Sequence, residues 1–144
     1  MKPGSSRYAL MLGEDGMVKD DGIICKISDE HFIATTTTGG AATVLGCMEE
    51  YAQTEWPNLN VYMNSITEQY ATFNISGPKT RNIIEKVFPE VNFSNEAFPF
   101  MTFQFHEYED IPIRILRASF TGEMGYEIYV PSNQALKILS LIHI

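Results

Sequence analysis

Residues that build metal and thiol sites are scarce in this sequence. Its 144 residues include two cysteines, Cys25 and Cys47, and three histidines, His31, His106 and His143. These residues are scattered, and none of their spacings is that of a zinc site. We therefore expect neither a bound metal ion nor a catalytic pair of cysteine and histidine.

Positive charge and long apolar runs are also scarce. Ten Lys and Arg residues stand against 18 Asp and Glu residues, and the resulting net charge of −8 disfavours binding to the phosphate backbone of nucleic acids. No apolar run approaches the roughly 20 residues that a membrane-spanning helix needs. The first residues lack the apolar stretch of a secretion signal. The sequence therefore predicts a cytoplasmic protein that binds neither nucleic acid nor membrane.

The apolar content is that of a folded domain. Hydrophobic residues make up 44% of the chain and charged residues 19%, which is typical of soluble globular proteins. A chain of this length can bury the core of one domain. Periodicity and turn residues predict helices over about 40–54, 78–88 and from 133 onward, and strands over 7–12, 17–27, 32–36, 61–65, 70–76, 103–108, 113–120 and 126–130. This order predicts an α+β fold, with a mostly antiparallel sheet and packed helices.

Two adjacent carboxylates, Asp20 and Asp21, lie inside the second predicted strand, where aspartate is uncommon. Strand alternation places Asp21 on the same face as Ile23 and Cys25, and it places Asp20 on the other face. Because the Asp21 face is the more apolar one, we expect Asp21 to point inward and Asp20 to be solvated. An inward carboxylate needs hydrogen-bond partners, which makes Asp21 a candidate base or ligand anchor. The alternative is that Asp21 caps a turn or pairs with an arginine.

A further carboxylate, Glu127, lies in the stretch TGEMGYEIYVP over residues 121–131. Two glycines make a tight turn before a strand in which Glu127 and Tyr129 share one face. A carboxylate can accept two parallel N–H donors, and the aminopyrimidinone edge of a pterin presents a similar pair. Three aromatic residues could pack on a flat ring, namely Phe120, Tyr126 and Phe100. The alternative is an edge-strand glutamate that faces water.

The stretch TTTTGG, residues 35–40, comes directly before the first predicted helix. Its backbone N–H groups could face an anionic group of a ligand, with Thr37 as the candidate contact. The stretch lacks the lysine of a phosphate-binding loop. We therefore favour the alternative, in which Thr37 or Thr38 caps the helix.

Four motifs in register resemble those of folate-binding aminomethyltransferases, the family of the glycine cleavage T-protein. TGEMGYEIYVP resembles the turn that carries the pterin-anchoring glutamate. EDGMVKDDGII, residues 14–24, resembles the strand that carries the essential aspartate. ISGP, residues 75–78, resembles a strand end that enters a helix, and AFPFMTF, residues 97–103, resembles the family's Pro-Phe segment. The resemblance runs in order from about residue 7 to residue 138.

Four stretches narrow the resemblance: RYALMLGEDGMVKDDG (residues 7–22), TTTTGGAA (35–42), QTEWP (53–57) and SNEAFPFM (94–101). They resemble most strongly the branch of the family that forms the carboxyl-terminal part of heterotetrameric sarcosine oxidase α subunits. This resemblance implies an enzyme that oxidises sarcosine at a flavin, with FAD, FMN and NAD bound outside this segment and with other subunits as partners. It also implies that tetrahydrofolate captures the one-carbon unit as 5,10-methylenetetrahydrofolate and that glycine is released. By motif position, Asp21 takes the place of the family's essential aspartate, and Glu127 takes that of its pterin-binding glutamate.

The resemblance implies a longer protein as well. A dinucleotide-binding part would precede this segment, and a C-terminal barrel domain would follow it. The chain stops on an apolar predicted helix without a capping glycine, and its last residues, 141–144, do not resemble the family. We expect residues 1–144 to be a partial folate-binding domain whose site is incomplete in isolation.

Two groups of alternatives stay open from the sequence. Inside the family, the chain could come from a glycine cleavage T-protein, a dimethylglycine oxidase or another demethylase. Outside enzymology, it could be a folate-binding protein that aids iron–sulfur cluster maturation, or a structural module of a larger assembly. The iron–sulfur group carries a cysteine in a Lys-Gly-Cys-Tyr type of motif, whereas the comparable turn here, residues 121–123, has none.

Overall fold

The computed structural model describes residues 1–143 as two antiparallel sheets and three helices. The smaller sheet has the order β1-β2-β3, and the larger has the order β4-β7-β6-β5. The strands are β1 (Ser6–Leu12), β2 (Val18–Lys26), β3 (Phe32–Ala34), β4 (Tyr70–Ser76), β5 (Thr102–Tyr108), β6 (Ile111–Arg117) and β7 (Gly125–Pro131). The helices are α1 (Ala41–Thr54), α2 (Thr80–Val87) and α3 (Ala135–Ile142), with short 3-10 turns at Thr67–Gln69 and Ser132–Gln134. Every strand pair is antiparallel, so the predicted α+β fold is confirmed.

The main core covers one face of the larger sheet. Alternate residues of β6 and β7 point to this face, where α2, α3 and the irregular segment between α2 and β5 pack on them. Each fully buried aliphatic side chain of this kind contributes roughly 1.5–3 kcal/mol. The fully buried residues of this core include Ile84, Phe98, Ile113, Ile115, Tyr126, Ile128, Val130 and Ile138.

The smaller sheet packs against the opposite face of the larger one. We call the contact between them the inter-sheet cluster; it consists of Cys25, Phe103, Leu116 and Ala118, with Ile23, Ile27, Ile33, Met101 and Tyr129 packed around them. A single bridge between Ser5 and Thr102 also joins the sheets. The face of β2 that carries Cys25 and the face of β7 that carries Tyr129 therefore meet across this cluster. The candidate residues Asp21 and Glu127 lie on these two faces.

Several predicted elements differ from the structure. Residues 61–65 were expected to form a strand but have no regular structure, and no strand within residues 1–143 pairs with them. A strand needs a hydrogen-bonding neighbour, so an apolar pattern alone does not make one. The apolar side chains here are not buried either, since Tyr62 is 88% exposed. Strand β6 begins and ends earlier than predicted, at Ile111 and Arg117, and α2 begins at Thr80 rather than at Pro78. None of the described helices is long and apolar enough to cross a membrane.

The predicted caps also differ. The residue before α1 is Gly40, and no side chain caps that helix. Thr37 bonds to Asp20 instead. Ser132, just before the last helix, is a residue type that commonly caps helices, but it donates its hydroxyl to the carbonyl of Glu68 at 2.7 Å. In both places a tertiary hydrogen bond takes the side chain that local pattern assigns to a cap.

Candidate functional site

Asp20 is an anchor for the loop between β3 and α1. Its side chain is buried, with 6% of its surface exposed. One carboxylate oxygen accepts the backbone N–H groups of Asp21, at 2.7 Å, and of Thr37, at 3.1 Å. The other accepts the Thr37 hydroxyl at 3.0 Å. The expectation that Asp20 is solvated is therefore wrong, because the loop folds over the face of β2 that strand alternation assigned to solvent.

Two glycines permit this close approach. A Cβ atom on Gly22 would lie 1.8 Å from the carbonyl oxygen of Thr35, and a Cβ atom on Gly40 would lie 1.6 Å from an Asp20 carboxylate oxygen. The loop can therefore lie flat on β2 only with glycine at both positions. The anion received by the TTTTGG stretch is the protein's own Asp20. The hydrogen bond from the Thr37 N–H is the main cause that lowers the pKa of Asp20.

Replacing this anchor should cost stability in a pH-dependent way. Because the folded state lowers the Asp20 pKa, its contribution is present above the ordinary carboxyl range and is lost as pH falls through the folded pKa. We expect Asp20→Ala to lower the melting temperature by several degrees at pH 7, and the difference from the wild type to shrink below about pH 4. Thermal melts from pH 7 to pH 3 measure this, with exposed Glu30→Ala as the control. A difference that does not change with pH would show that the charge of Asp20 is irrelevant.

Asp21 lies on the opposite face of β2, towards the larger sheet. The predicted face is confirmed, since Cys25 is 1% exposed and Ile23 packs in the inter-sheet cluster. Asp21 itself is half-buried at the open end of this face, and its Oδ2 accepts a hydrogen bond from the Tyr8 hydroxyl at 2.7 Å. This bond is the main cause that raises the pKa of Tyr8. Leu10, paired with Asp21 across the sheet, is 50% exposed, so Asp21 lies between buried and open surface.

Glu127 lies on the face of β7 that meets the smaller sheet. It is half-buried between Asn74 of β4 and Leu116 of β6, which are its register partners. The Tyr129 hydroxyl donates a hydrogen bond to its Oε2. Within residues 1–143, no group donates a hydrogen bond to Oε1. One oxygen is therefore held in place, and the other has acceptor capacity available.

The negative charge of Glu127 affects the pKa of two residues in the inter-sheet cluster, Cys25 and Tyr129. Burial, followed by the nearby Glu127 charge, raises the pKa of the Cys25 thiol to about 12. The thiol is therefore protonated at neutral pH and behaves as a small apolar side chain. Burial and Glu127 likewise raise the pKa of Tyr129, which keeps the phenol protonated as a donor. Cys25 and Tyr129 thus connect the Asp21 face of β2 with the Glu127 face of β7.

The aromatic candidates have different positions. Tyr126 was expected to pack on a flat ligand, and this is wrong, because it is 0% exposed and lies in the main core on the opposite face from Glu127. Its ring makes edge contacts with Phe93 and Phe98, at centroid distances of 5.3 and 5.7 Å. Phe120 is 92% exposed and Phe100 is 59% exposed, so both are accessible, but neither belongs to the inter-sheet cluster.

Other site residues agree only in part with the sequence reasoning. Thr37 directs both its N–H and its hydroxyl to Asp20, so the structure gives it an anchoring role rather than a ligand contact. Tyr8 was not predicted at all. The sequence did contain a signal for Tyr8: the β1–β2 hairpin pairs it with Ile23, which lies two residues from Asp21 on the same face of β2. Asn74, opposite Glu127, could be found only from the pairing of β4 with β7.

Comparisons with known proteins agree with this architecture. The chain is 45% identical over 139 residues to the sarcosine oxidase subunit alpha of Corynebacterium sp. (strain P-1), an alignment that covers 96% of this chain and 14% of that protein. It is 25% identical over 142 residues to the aminomethyltransferase of Oceanobacillus iheyensis, covering 99% of this chain and 38% of that protein. The chain therefore spans only a minor part of the length of these relatives.

The fold has a solved counterpart. The crystal structure of the glycine cleavage system aminomethyltransferase T from Bartonella henselae superposes with a TM-score of 0.80 at 23% identity, covering 99% of this chain and 36% of that one. At this identity the likeness concerns the fold. The family model described as the GCVT N-terminal domain matches residues 1–143. The chain therefore belongs to the GCVT N-terminal domain family.

Proposed function

We propose that this chain supplies the pterin-anchoring carboxylate and the proton acceptor of a tetrahydrofolate-dependent one-carbon transfer site. The observation that carries the proposal is Glu127, a half-buried carboxylate with one oxygen held by Tyr129 and the other without a donor among residues 1–143. A glutamate that merely faced water would need neither the phenol donor nor the position between two sheets. Family membership supports the same assignment.

The donors of a pterin suit this carboxylate. The aminopyrimidinone edge carries two parallel N–H groups, and a carboxylate accepts such a pair through both oxygens. Oε2 already accepts the Tyr129 hydroxyl but keeps a further lone pair, so both oxygens can take part. Phe120, on the turn before β7 and 92% exposed, is available to pack on the ring. The residues present therefore fit the group.

Asp21 is the residue that we assign to proton transfer. When bound, tetrahydrofolate would supply two amine nitrogens that replace the glycine nitrogen on the transferred carbon, while their two protons end on the released glycine amine. A carboxylate within hydrogen-bond reach can orient such an amine and hold its proton during attack. Asp21 is suited to this because Tyr8 fixes one of its oxygens at 2.7 Å. Its negative charge would also stabilise a cationic iminium substrate.

The substrate assignment follows the relatives. Identity is 45% to a sarcosine oxidase subunit alpha and 25% to an aminomethyltransferase, which favours the sarcosine oxidase branch over the glycine cleavage T-protein. In this proposal the full enzyme oxidises sarcosine elsewhere, at a flavin bound outside residues 1–144. The resulting imine is then captured here as 5,10-methylenetetrahydrofolate. The partners would be the other subunits of a hetero-oligomeric oxidase.

Calorimetric titration of the full-length protein with tetrahydrofolate tests this function. We expect saturable heat with one site per chain, and sarcosine turnover in the presence of tetrahydrofolate that yields 5,10-methylenetetrahydrofolate in place of free formaldehyde. Binding without one-carbon capture would favour a non-enzymatic folate-binding protein. The absence of saturable heat in the full-length protein would contradict the proposal and favour a structural module of a larger assembly.

A further inference from the structure

Asn74 lies directly opposite Glu127 in the pairing of β4 with β7, and neither the fold nor the proposed chemistry gives it a role. Its neighbours Phe73 and Ile75 pack against the main core, so strand alternation directs Asn74 to the other face, which it shares with Glu127. Side chains that face each other in this way have Cβ atoms about 5 Å apart. Asparagine is uncommon in strands, and Asn74 is exposed on an edge strand. An accessible polar group therefore lies beside the carboxylate.

The two flanks of Glu127 differ in accessibility. On the β6 side its register partner is Leu116, which is 0% exposed and belongs to the inter-sheet cluster. On the β4 side its partner is Asn74, which is exposed, and β4 is an edge strand of the larger sheet. A flat ring that reaches the Glu127 carboxylate therefore approaches over β4, and its edge comes next to the Asn74 side chain.

A hydrogen bond within β4 fixes the orientation of the Asn74 amide. The Ser76 hydroxyl donates to Asn74 Oδ1. The amide NH₂ group therefore points away from Ser76, and its two donors have no acceptor among residues 1–143. Glu127 thus offers acceptors and Asn74 offers donors at neighbouring positions on one face of the sheet.

A pterin presents the complementary order of groups along one edge. Its two parallel N–H donors, at the 2-amino group and at N3, are followed by the exocyclic oxygen O4, which is an acceptor. When the N–H pair binds Glu127, O4 projects from the ring beside the carboxylate, towards the neighbouring strand. A donor at that position pairs with O4, whereas a ring with an amino group there would oppose two donors. Glu127 and Asn74 together therefore match three consecutive groups of the ring rather than two.

We propose that the Asn74 amide donates a hydrogen bond to O4 of the pterin whose N–H groups bind Glu127. This inference rests on the proposed function and deepens it, because it assigns a specificity-determining role to a second residue of the site. Glu127 binds the donors of the ring, and Asn74 selects rings that carry a strong acceptor at position 4.

A comparison of two ligands tests the proposal. Tetrahydrofolate and its 4-thio analogue keep the same N–H donors, but sulfur is a weaker acceptor than oxygen. Both are titrated by calorimetry into the full-length wild type, into Asn74→Ala and into the control Thr72→Val, an exposed position two residues away on the same face. We expect the wild type to prefer tetrahydrofolate by about 3- to 10-fold, the range of one hydrogen bond. Asn74→Ala should lose this preference, and Thr72→Val should retain it.

Asn74→Asp is a second variant, of the same size, that serves if Asn74→Ala does not fold. It places an acceptor against O4, so it should bind tetrahydrofolate more weakly than the wild type and lose the preference over the 4-thio analogue. Equal binding of the two ligands by the wild type would overturn the proposal without any variant, and a full preference in Asn74→Ala or Asn74→Asp would assign the donor to another group. The absence of saturable binding of either ligand to the wild type would instead refute the proposed function.

Discussion

Asp21→Asn is expected to abolish most one-carbon transfer while leaving tetrahydrofolate bound. The amide keeps the size of the side chain and can still accept the Tyr8 hydroxyl, but it cannot take a proton from the attacking amine. Because general base catalysis contributes about 10²–10⁴-fold, we expect formation of 5,10-methylenetetrahydrofolate to slow by at least about 100-fold. Single-turnover capture of the imine at saturating tetrahydrofolate measures this step directly.

Two neighbouring variants make that result specific. Asp20→Asn alters the adjacent carboxylate, which contacts the Thr37 loop and not the open face, so it should affect thermal stability rather than the transfer step. Tyr8→Phe removes the donor to Asp21 but keeps the carboxylate, and it should lower the transfer rate by a smaller factor with unchanged folate affinity. If Asp21→Asn transferred the carbon at the wild-type rate, Asp21 would not be the base.

Glu127→Gln is expected to have its main effect on binding. The amide replaces one acceptor oxygen with an NH₂ group, which would meet a donor of the pterin edge. Since hydrogen bonds to charged groups are worth about 1.5–3 kcal/mol, the dissociation constant for tetrahydrofolate should rise about 10- to 100-fold. The transfer rate at saturating folate should change much less, because the role is positioning.

The matched control for this variant lies in the same turn. Glu123→Gln removes the same charge four residues earlier, at an exposed position, and should bind tetrahydrofolate like the wild type. Equal weakening by the two variants would indicate a general loss of negative charge. Unchanged binding in Glu127→Gln would remove the pterin role from this residue.

Strand alternation could predict the faces of β2 but not what covers them. It separated Asp21 from Asp20 correctly, because adjacent residues in a strand point to opposite sides. It could not predict that residues 35–40 fold over Asp20, since that burial depends on close approaches at Gly22 and Gly40 that are tertiary. A charge that local pattern places in solvent thus became the anchor of a loop.

The candidate site shows the same limit. Alternation in β7 places Glu127 with Tyr129 and away from Tyr126, and the structure has that arrangement. Proximity in sequence nevertheless made Tyr126 a ligand candidate, although its own face belongs to the main core. Asn74 approaches the site only through the pairing of β4 with β7, which a single sequence does not reveal, whereas Tyr8 reaches Asp21 through the register of the β1–β2 hairpin. The strand predicted over residues 61–65 was wrong for a related reason: their pattern is apolar, but no described strand pairs with them.

A crystal structure of the full-length protein with bound tetrahydrofolate tests the central claim most directly. We predict that the aminopyrimidinone edge of the pterin lies within hydrogen-bond distance of the Glu127 carboxylate and that the Asp21 carboxylate lies near N10. A pterin bound in another place, with Glu127 contacting only Tyr129 and solvent, would contradict the claim that β2 and β7 form a folate site.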